Sequence, residues 1–436
     1  MPQPSSQKPF IVISADSHAG GRMEDYRPYI DKQYLAQFER TIAERTPSGS
    51  PRALDAAAVA NGMMVGGTTV SLRGKQIEES YSNEEAVKAG GLAGAWDATV
   101  RHREMNREGV AAEVIFPNGH PFGGRGLGAN NIAYELRLAG ARAYNRWLAD
   151  LCASDSARHA GVAMLCWDDI PTALEDLKWA KQHGLRGLLL PELPLITNDP
   201  QWLLHHPRYE PVWALAEELQ MPLSIHSNGS GVNYGDLPGA RWIHSSEAYW
   251  TSRRALSQLM WSGVLERHPT LKVMMAEVMG GWLPYELQLW EYLYDARNPE
   301  VIRQTLKLRP GEYWRRQCFI GASPPSGRLE IDSRYIIGVN NLMWGSDFPH
   351  IDGLWPRSNK RIRELFAGVS EPETRAILGE NGVKLYGFDH AKLQAIADKI
   401  GPVPSDIHAT PPDRGLPYKL AFINGVTPEI PEPAQR

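Results

Sequence analysis

The chain has 436 residues, with 50 acidic against 46 basic side chains and a formal net charge of -4. Hydrophobic residues make up 42% and charged residues 22%, which excludes disordered and disulfide-rich classes. The dense basic surface that nucleic-acid binding needs is missing, and no apolar run approaches the ~20 residues of a bilayer span. The N-terminal MPQPSSQKPF lacks the basic-then-apolar pattern of a secretory signal. Cys152, Cys166 and Cys318 show no metal or redox spacing, so reduced thiols in a cytoplasmic protein are expected.

Short apolar runs recur along the chain, separated by stretches of helical periodicity. In order they are Ile11–Ala15, Ala112–Phe116, Gly161–Leu165, Gly187–Leu190, Pro222–His226, Lys272–Glu277, Gln317–Gly321 and Leu342–Ser346. Continuous apolar runs predict parallel strands buried on both faces. Helices are predicted over Ile170–His183, stopped by Gly184, over Pro211–Leu219, and over Ser252–Arg267 before His268-Pro269. Eight strands alternating with helices predict a (β/α)8 barrel of the TIM type. A doubly wound sheet would carry a Gly-rich phosphate loop after its first strand, and SADSHAG is not one.

About 95 residues separate the first two runs, far more than an ordinary loop. Residues 20 to 100 therefore read as a cap inserted over the catalytic face of a single domain spanning 1–400. From Gly401 onward proline is so frequent that residues 401–436 read as an extended tail outside the core, wrapping the barrel or a partner subunit. No internal repeat is visible. A homo-oligomer, simplest as a dimer, is expected.

In such barrels chemistry lies at the C-terminal strand ends. Those positions carry Asp16 and His18, two residues apart and so on one side of an extended backbone. His120 follows the second strand, Glu192 the fourth, His226 ends the fifth, Glu277 the sixth, and Asp347 follows the eighth. Any one of these alone is an ordinary cap or core residue. Gathered at one end of a barrel, they read as a metal site. His205, His206, His244 and His268 fall elsewhere and read as surface or capping residues.

SADSH, the strand-five His226 and MWGSDFPHIDGLWP together resemble the amidohydrolase superfamily, in the branch containing aminocarboxymuconate semialdehyde decarboxylase. YEPVWALAEELQMPLSIHS, SGVLERHPTLKVMMAEVMGGWLPYEL and ILGENGVKLYGFD extend the resemblance over most of residues 160 to 390. It implies that Asp16, His18, His226 and Asp347 bind a divalent metal. Two departures stand out: Asp-x-His replaces the more usual His-x-His on strand one, and Glu277 replaces the strand-six histidine of the decarboxylases. Bridging of two metals by a strand-four carboxylate elsewhere in the superfamily assigns that role to Glu192, with Glu277 joining His226 on the second ion. One or two ions of Zn, Fe or Mn are thus expected.

Asp347 is the expected base that handles the proton of a metal-activated water. His350 is a candidate acid or orienting group, with Glu277 beside it. Hydrolysis of a small apolar or aromatic substrate is the first reading, because an ionised Glu277 would repel a substrate carboxylate. Non-oxidative decarboxylation of an aromatic or unsaturated acid, and a diiron monooxygenase on the same barrel, are the alternatives. Of 14 tryptophans, Trp96, Trp167, Trp250, Trp344 and Trp355 fall near loops or strand ends; Trp355 and His120 are expected to contact substrate. Arg241, Arg253, Arg254 and Arg357 are candidates to hold a carboxylate.

Overall fold

The structure, a computed structural model, describes residues 8–45, 85–117, 119–123, 132–191, 199–227, 234, 238–296, 298–322, 328–350 and 353–408. Each apolar run forms a strand. They are β1 (Ile13–Ala19), β2 (Ala112–Pro117), β3 (His159–Ala163), β4 (Gly187–Leu189), β5 (Leu223–His226), β6 (Val273–Ala276), β7 (Cys318–Ala322) and β8 (Leu342–Trp344). They pair in parallel and in chain order, as a (β/α)8 barrel requires. The strands are buried on both faces, which is why their sequences show no polar alternation. Ile13, Ala112, Val114, Ala160, Val162, Met274 and Met343 fill the interior, while Ile115, Leu188, Ile225, Met275 and Ile320 pack outward in the layer shared with the helices.

The main helices are α1 (Leu35–Arg45), α2 (Ala98–Arg107), α3 (Tyr134–Ala153), α4 (Ile170–Gln182), α5 (Glu210–Glu218), α6 (Ala240–Trp261), α7 (Leu283–Ala296), α8 (Pro310–Gln317), α9 (Ser358–Phe366), α10 (Asn381–Tyr386), α11 (His390–Ile400) and α12 (Pro404–His408). Gly184 stops α4 with φ of +84°, a conformation that glycine adopts without steric cost. Leu385 and Tyr386 of α10, with Leu393 and Ala397 of α11, join the interior cluster and close the N-terminal end of the barrel. Among the described residues no helix is long and apolar enough to cross a membrane.

Three expectations change in detail. Helix α6 begins twelve residues ahead of the predicted Ser252, because its first half lacks a continuous apolar stripe; Ile243 and Trp250 lie exposed on it. Gly263, at φ of +74°, then separates it from the short helix Val264–Arg267. Strand β1 runs on through Asp16 and His18 to Ala19, with one extra residue between Ser14 and Ser17 relative to β2, a β-bulge. The proline-rich tail enters the core at its start: Pro402 O accepts a bond from Phe10 N at 2.9 Å, and Ile407 of α12 is fully buried. Proline at the first position of α12 is compatible with a helix because that N–H has no partner within the helix anyway. Residues 409–436 lie outside the described residues.

The described flanks of the 20–100 insertion pack against the barrel wall. Tyr26 is buried against Tyr144 and Trp147 of α3, and Ala95 O accepts from Gly20 N at 3.0 Å. The middle of the expected cap, residues 46–84, lies outside the described residues.

Candidate metal centre

Between β8 and β1 the ring closes through the loop that leaves β8. Phe348 O accepts from His18 N at 2.6 Å and Asp16 O from Asp347 N at 2.9 Å, with a single parallel bridge between Ser17 and Phe348. The bulge in β1 turns the Asp16 and His18 side chains to the interior, where His18 pairs in register with Phe116. From β5 comes His226. Its Nδ1 lies 3.1 Å from the carbonyl of Ser227, which can only accept, so Nδ1 carries the proton and the Nε2 lone pair faces the cluster.

These groups converge. His226 Nε2 lies 3.1 Å from His18 Nε2, 3.5 Å from an Asp16 oxygen and 3.3 Å from Glu277 Oε2. Asp347 Oδ1 is 3.4 Å from His18 Nε2 and 2.8 Å from His350 Nδ1. The His350 and His18 rings stack at 3.9 Å, and Phe116 backs His226 at 4.9 Å. Two overlapping groups of four donors result: Asp16, His18, His226 and Glu277, and His18, Glu277, Asp347 and His350.

Glu277 and Asp347 each follow a strand with φ near the left-handed region, +53° and +55°. For residues with a Cβ that conformation costs of order 1–3 kcal/mol, and it persists where surrounding bonds over-determine it. Here Leu354 N donates to Ser346 O at 2.8 Å and His350 N to Asp347 O at 2.8 Å. Gly353 sits where a Cβ would come within 2.7 Å of Ser346 O and 2.8 Å of Asp347 O, so the turn admits no side chain there.

The residues fit a divalent cation. Both carboxylate oxygens of Asp16 are buried without a hydrogen-bond partner, an arrangement that costs free energy unless a cation meets it. Burial and the neighbouring charge of Asp347 push the Glu277 carboxyl up to about 8, against the opposing pull of His226 and His350. The cluster holds more negative charge than it sustains alone. Carboxylate and imidazole donors suit Mn, Fe or Zn.

Asp16, His18, His226, Glu277, Asp347 and His350 are thus brought together. Glu192 lies outside the described residues. His120 is buried in the loop after β2, wedged against Gly140 of α3, with its Nδ1 accepting from Phe122 N at 3.2 Å; it is not among the converging donors. Trp355 is 2% exposed, and its Nε1 donates to Glu104 at 3.2 Å, tying the loop after β8 to α2. Trp344 and Trp167 are also buried.

One buried assembly behind the site escaped the sequence reading. Arg101 of α2, wholly buried, donates from Nε and Nη2 to the Glu113 carboxylate of β2. Its Nη1 reaches His18 O at 2.9 Å and Gly94 O at 3.0 Å, and its guanidinium lies 5.2 Å from the Phe348 ring. His159 Nδ1 meets Glu113 at 3.0 Å from the other side. The available signal was a glutamate inside the apolar strand AEVIF, which a parallel sheet tolerates only when paired. Burial raises the Glu113 pKa, but Arg101 and His159 outweigh it and hold the carboxyl well below the usual range. The pair therefore contributes stability above the ordinary value of 4.5, and that contribution is lost as pH falls toward the folded value. Thermal unfolding between about pH 7 and pH 3 should show Tm dropping below about 4.5, with a shallower drop in Glu113→Gln. Equal slopes would show that Glu113 contributes nothing to acid sensitivity.

A protein-family model described as Amidohydrolase matches residues 86–388, more than half of the chain. The chain belongs to this family. Within the amidohydrolase superfamily it falls in the branch of the aminocarboxymuconate semialdehyde decarboxylases. It is 28% identical over 268 residues to gamma-resorcylate decarboxylase of Rhodococcus jostii (strain RHA1), covering 57% of this chain and 77% of that one. It is 23% identical over 313 residues to 2-amino-3-carboxymuconate-6-semialdehyde decarboxylase of Dictyostelium discoideum, covering 68% and 78%. In fold it is similar to 5-carboxyvanillate decarboxylase from Novosphingobium aromaticivorans DSM 12444, solved with manganese and 4-hydroxy-3-methoxy-5-nitrobenzoic acid. That match has a TM-score of 0.60 at 16% identity, over 87% of this chain and 96% of the other. This amidohydrolase-superfamily enzyme thus carries its metal-type residues at the C-terminal barrel mouth.

Proposed function

We propose that this enzyme is a metal-dependent, non-oxidative decarboxylase of an aromatic or unsaturated acid. The observation that carries the reading is the convergence of Asp16, His18, His226 and Asp347 in a chain that aligns over about three-quarters of two decarboxylases. Asp16, His18, His226, Glu277 and Asp347 would hold the ion. Its charge would bind the substrate carboxylate and a neighbouring oxygen, as manganese sites of oxygen donors do. The buried Asp347–His350 pair, 2.8 Å apart, can hold a proton beside the substrate and pass it to the ring carbon. The proton adds at the carbon that bears the carboxylate, using a π pair; the carbon–carbon bond then breaks, its electron pair restores that π system, and carbon dioxide leaves.

From the sequence alone hydrolysis is the expected reaction, because an ionised Glu277 would repel an acid substrate. In the fold Glu277 faces His226 at 3.3 Å and belongs to both donor groups, so its charge would be met by the ion instead of repelling the substrate. The test is an assay of protein loaded with Mn, Fe or Zn against hydroxybenzoate-type acids and against neutral amides, esters and lactones, with and without oxygen. Carbon dioxide release from an acid without oxygen is the expected result. Turnover of only the neutral panel would replace the reading with hydrolysis, and strict oxygen dependence with the diiron oxygenase. Elemental analysis of the same samples gives the ion and its number per chain.

A further inference from the structure

Four of the six converging donors enter from the two sides of the β8–β1 closure. Asp16 and His18 come from β1, and Asp347 and His350 from the loop after β8. Their separation depends on what holds that closure together. Backbone bonds cross it at His18–Phe348 and Asp347–Asp16, and one side chain sits at the centre of the remaining contacts. Ser14, fully buried at the edge of the β1 bulge, donates its hydroxyl proton to Asp16 O at 2.6 Å. Ser14 Oγ accepts from Ser346 N at 2.9 Å and from Ser17 Oγ at 3.1 Å, and lies 2.9 Å from Ser346 Oγ. A hydroxyl offers one donor and two lone pairs, so the bonds to Asp16 O, Ser346 N and Ser17 Oγ already use its full capacity, with Ser346 Oγ a fourth close contact. Ser346 in turn accepts from Phe348 N at 3.4 Å.

We propose that Ser14 is a positioning residue that sets the spacing between the Asp16–His18 and Asp347 halves of the metal centre. It touches no donor atom of the site. It acts on the carbonyl of Asp16 itself and on the amide of Ser346, the residue whose carbonyl forms the peptide bond to Asp347. At Ser346 N the hydroxyl stands in for a backbone acceptor, and at Asp16 O it adds a second donor to the one supplied by Asp347 N. Groups that orient metal ligands without touching the ion typically contribute 10–100-fold in affinity. The proposal rests on the metal-site reading, though not on the reaction assigned to it.

The experiment measures Mn(II) affinity by titration, together with the electron paramagnetic resonance spectrum of the bound ion and the Tm of metal-free protein. Four proteins are compared: wild type, Ser14→Ala, Ser346→Ala and Ser224→Ala. Ser224 is the control, a fully buried serine two residues before the ligand His226 but away from the closure. Ser14→Ala is expected to bind Mn(II) at least about 10-fold more weakly, with an altered spectrum. Ser224→Ala is expected to stay within about 3-fold of wild type, a contrast that loss of a generic buried hydroxyl would not produce. Ser346→Ala removes the other hydroxyl of the pair and is expected to weaken binding too, giving a second readout should Ser14→Ala not fold. Wild-type affinity and spectrum in both closure variants would overturn the proposal. Absence of saturable Mn(II) binding by the wild type would instead overturn the metal-site reading, and the proposal with it.

Discussion

Asp347→Asn is expected to lower turnover by about 10²–10⁴-fold, the range over which a positioned proton-transfer group contributes. The substitution keeps shape and volume, so its effect is chemical. Asp347 is fully buried, its Oδ1 lies 2.8 Å from His350 Nδ1 and 3.4 Å from His18 Nε2, and its backbone is fixed by Asp16. On the proposed reading, an amide in place of one carboxylate oxygen would remove a donor to the ion and the group that exchanges a proton with His350. His226→Ala should likewise remove most activity and bound metal while far-UV circular dichroism stays that of the barrel. Full metal content with full turnover in either variant would show that the ligand set has been misassigned.

The second large effect is on stability. Arg101→Met is expected to destabilise the fold by about 3–5 kcal/mol, since it leaves the Glu113 carboxylate buried and only His159 to meet it. His18 O and Gly94 O lose a donor as well. Urea unfolding followed by tryptophan fluorescence measures the loss. The double variant Arg101→Met/Glu113→Leu should recover part of it, because no unpaired charge remains. A single-variant loss below about 1 kcal/mol would show that His159 alone satisfies Glu113.

Much of this candidate site was legible in the sequence because the residues it brings together sit at the one place where strand periodicity and residue type can be read together. Apolar runs located every strand, and whatever ionisable residue followed a run was a candidate. That logic delivered Asp16, His18, His226, Glu277 and Asp347. It had no means of finding Arg101 or Ser14. Arg101 lies on an ordinary helical stretch, 12 residues from the Glu113 it serves, and Ser14 is joined to Ser346 across 332 residues. Contacts of that kind exist only once the barrel has closed. The early start of α6 was invisible for a different reason: a helix that projects exposed apolar residues carries no amphipathic stripe. Ile407 is hidden by the proline content around it, which signals an extended tail, whereas a proline at a helix start is compatible with a buried helix.

The extra residue in β1 changes the parity of the strand. Upstream of it, the odd-numbered Ile11 and Ile13 face the barrel interior; downstream, the even-numbered Asp16 and His18 do. An unbulged strand of the same sequence would send both ligands out among the helices and turn Ser17 inward. A chain with one residue fewer between Ser14 and Asp16 would place the same two ligands inside with no bulge at all. The distance from the apolar run to the Asp-x-His pair is therefore free to vary by one residue, but the interval within the pair is not.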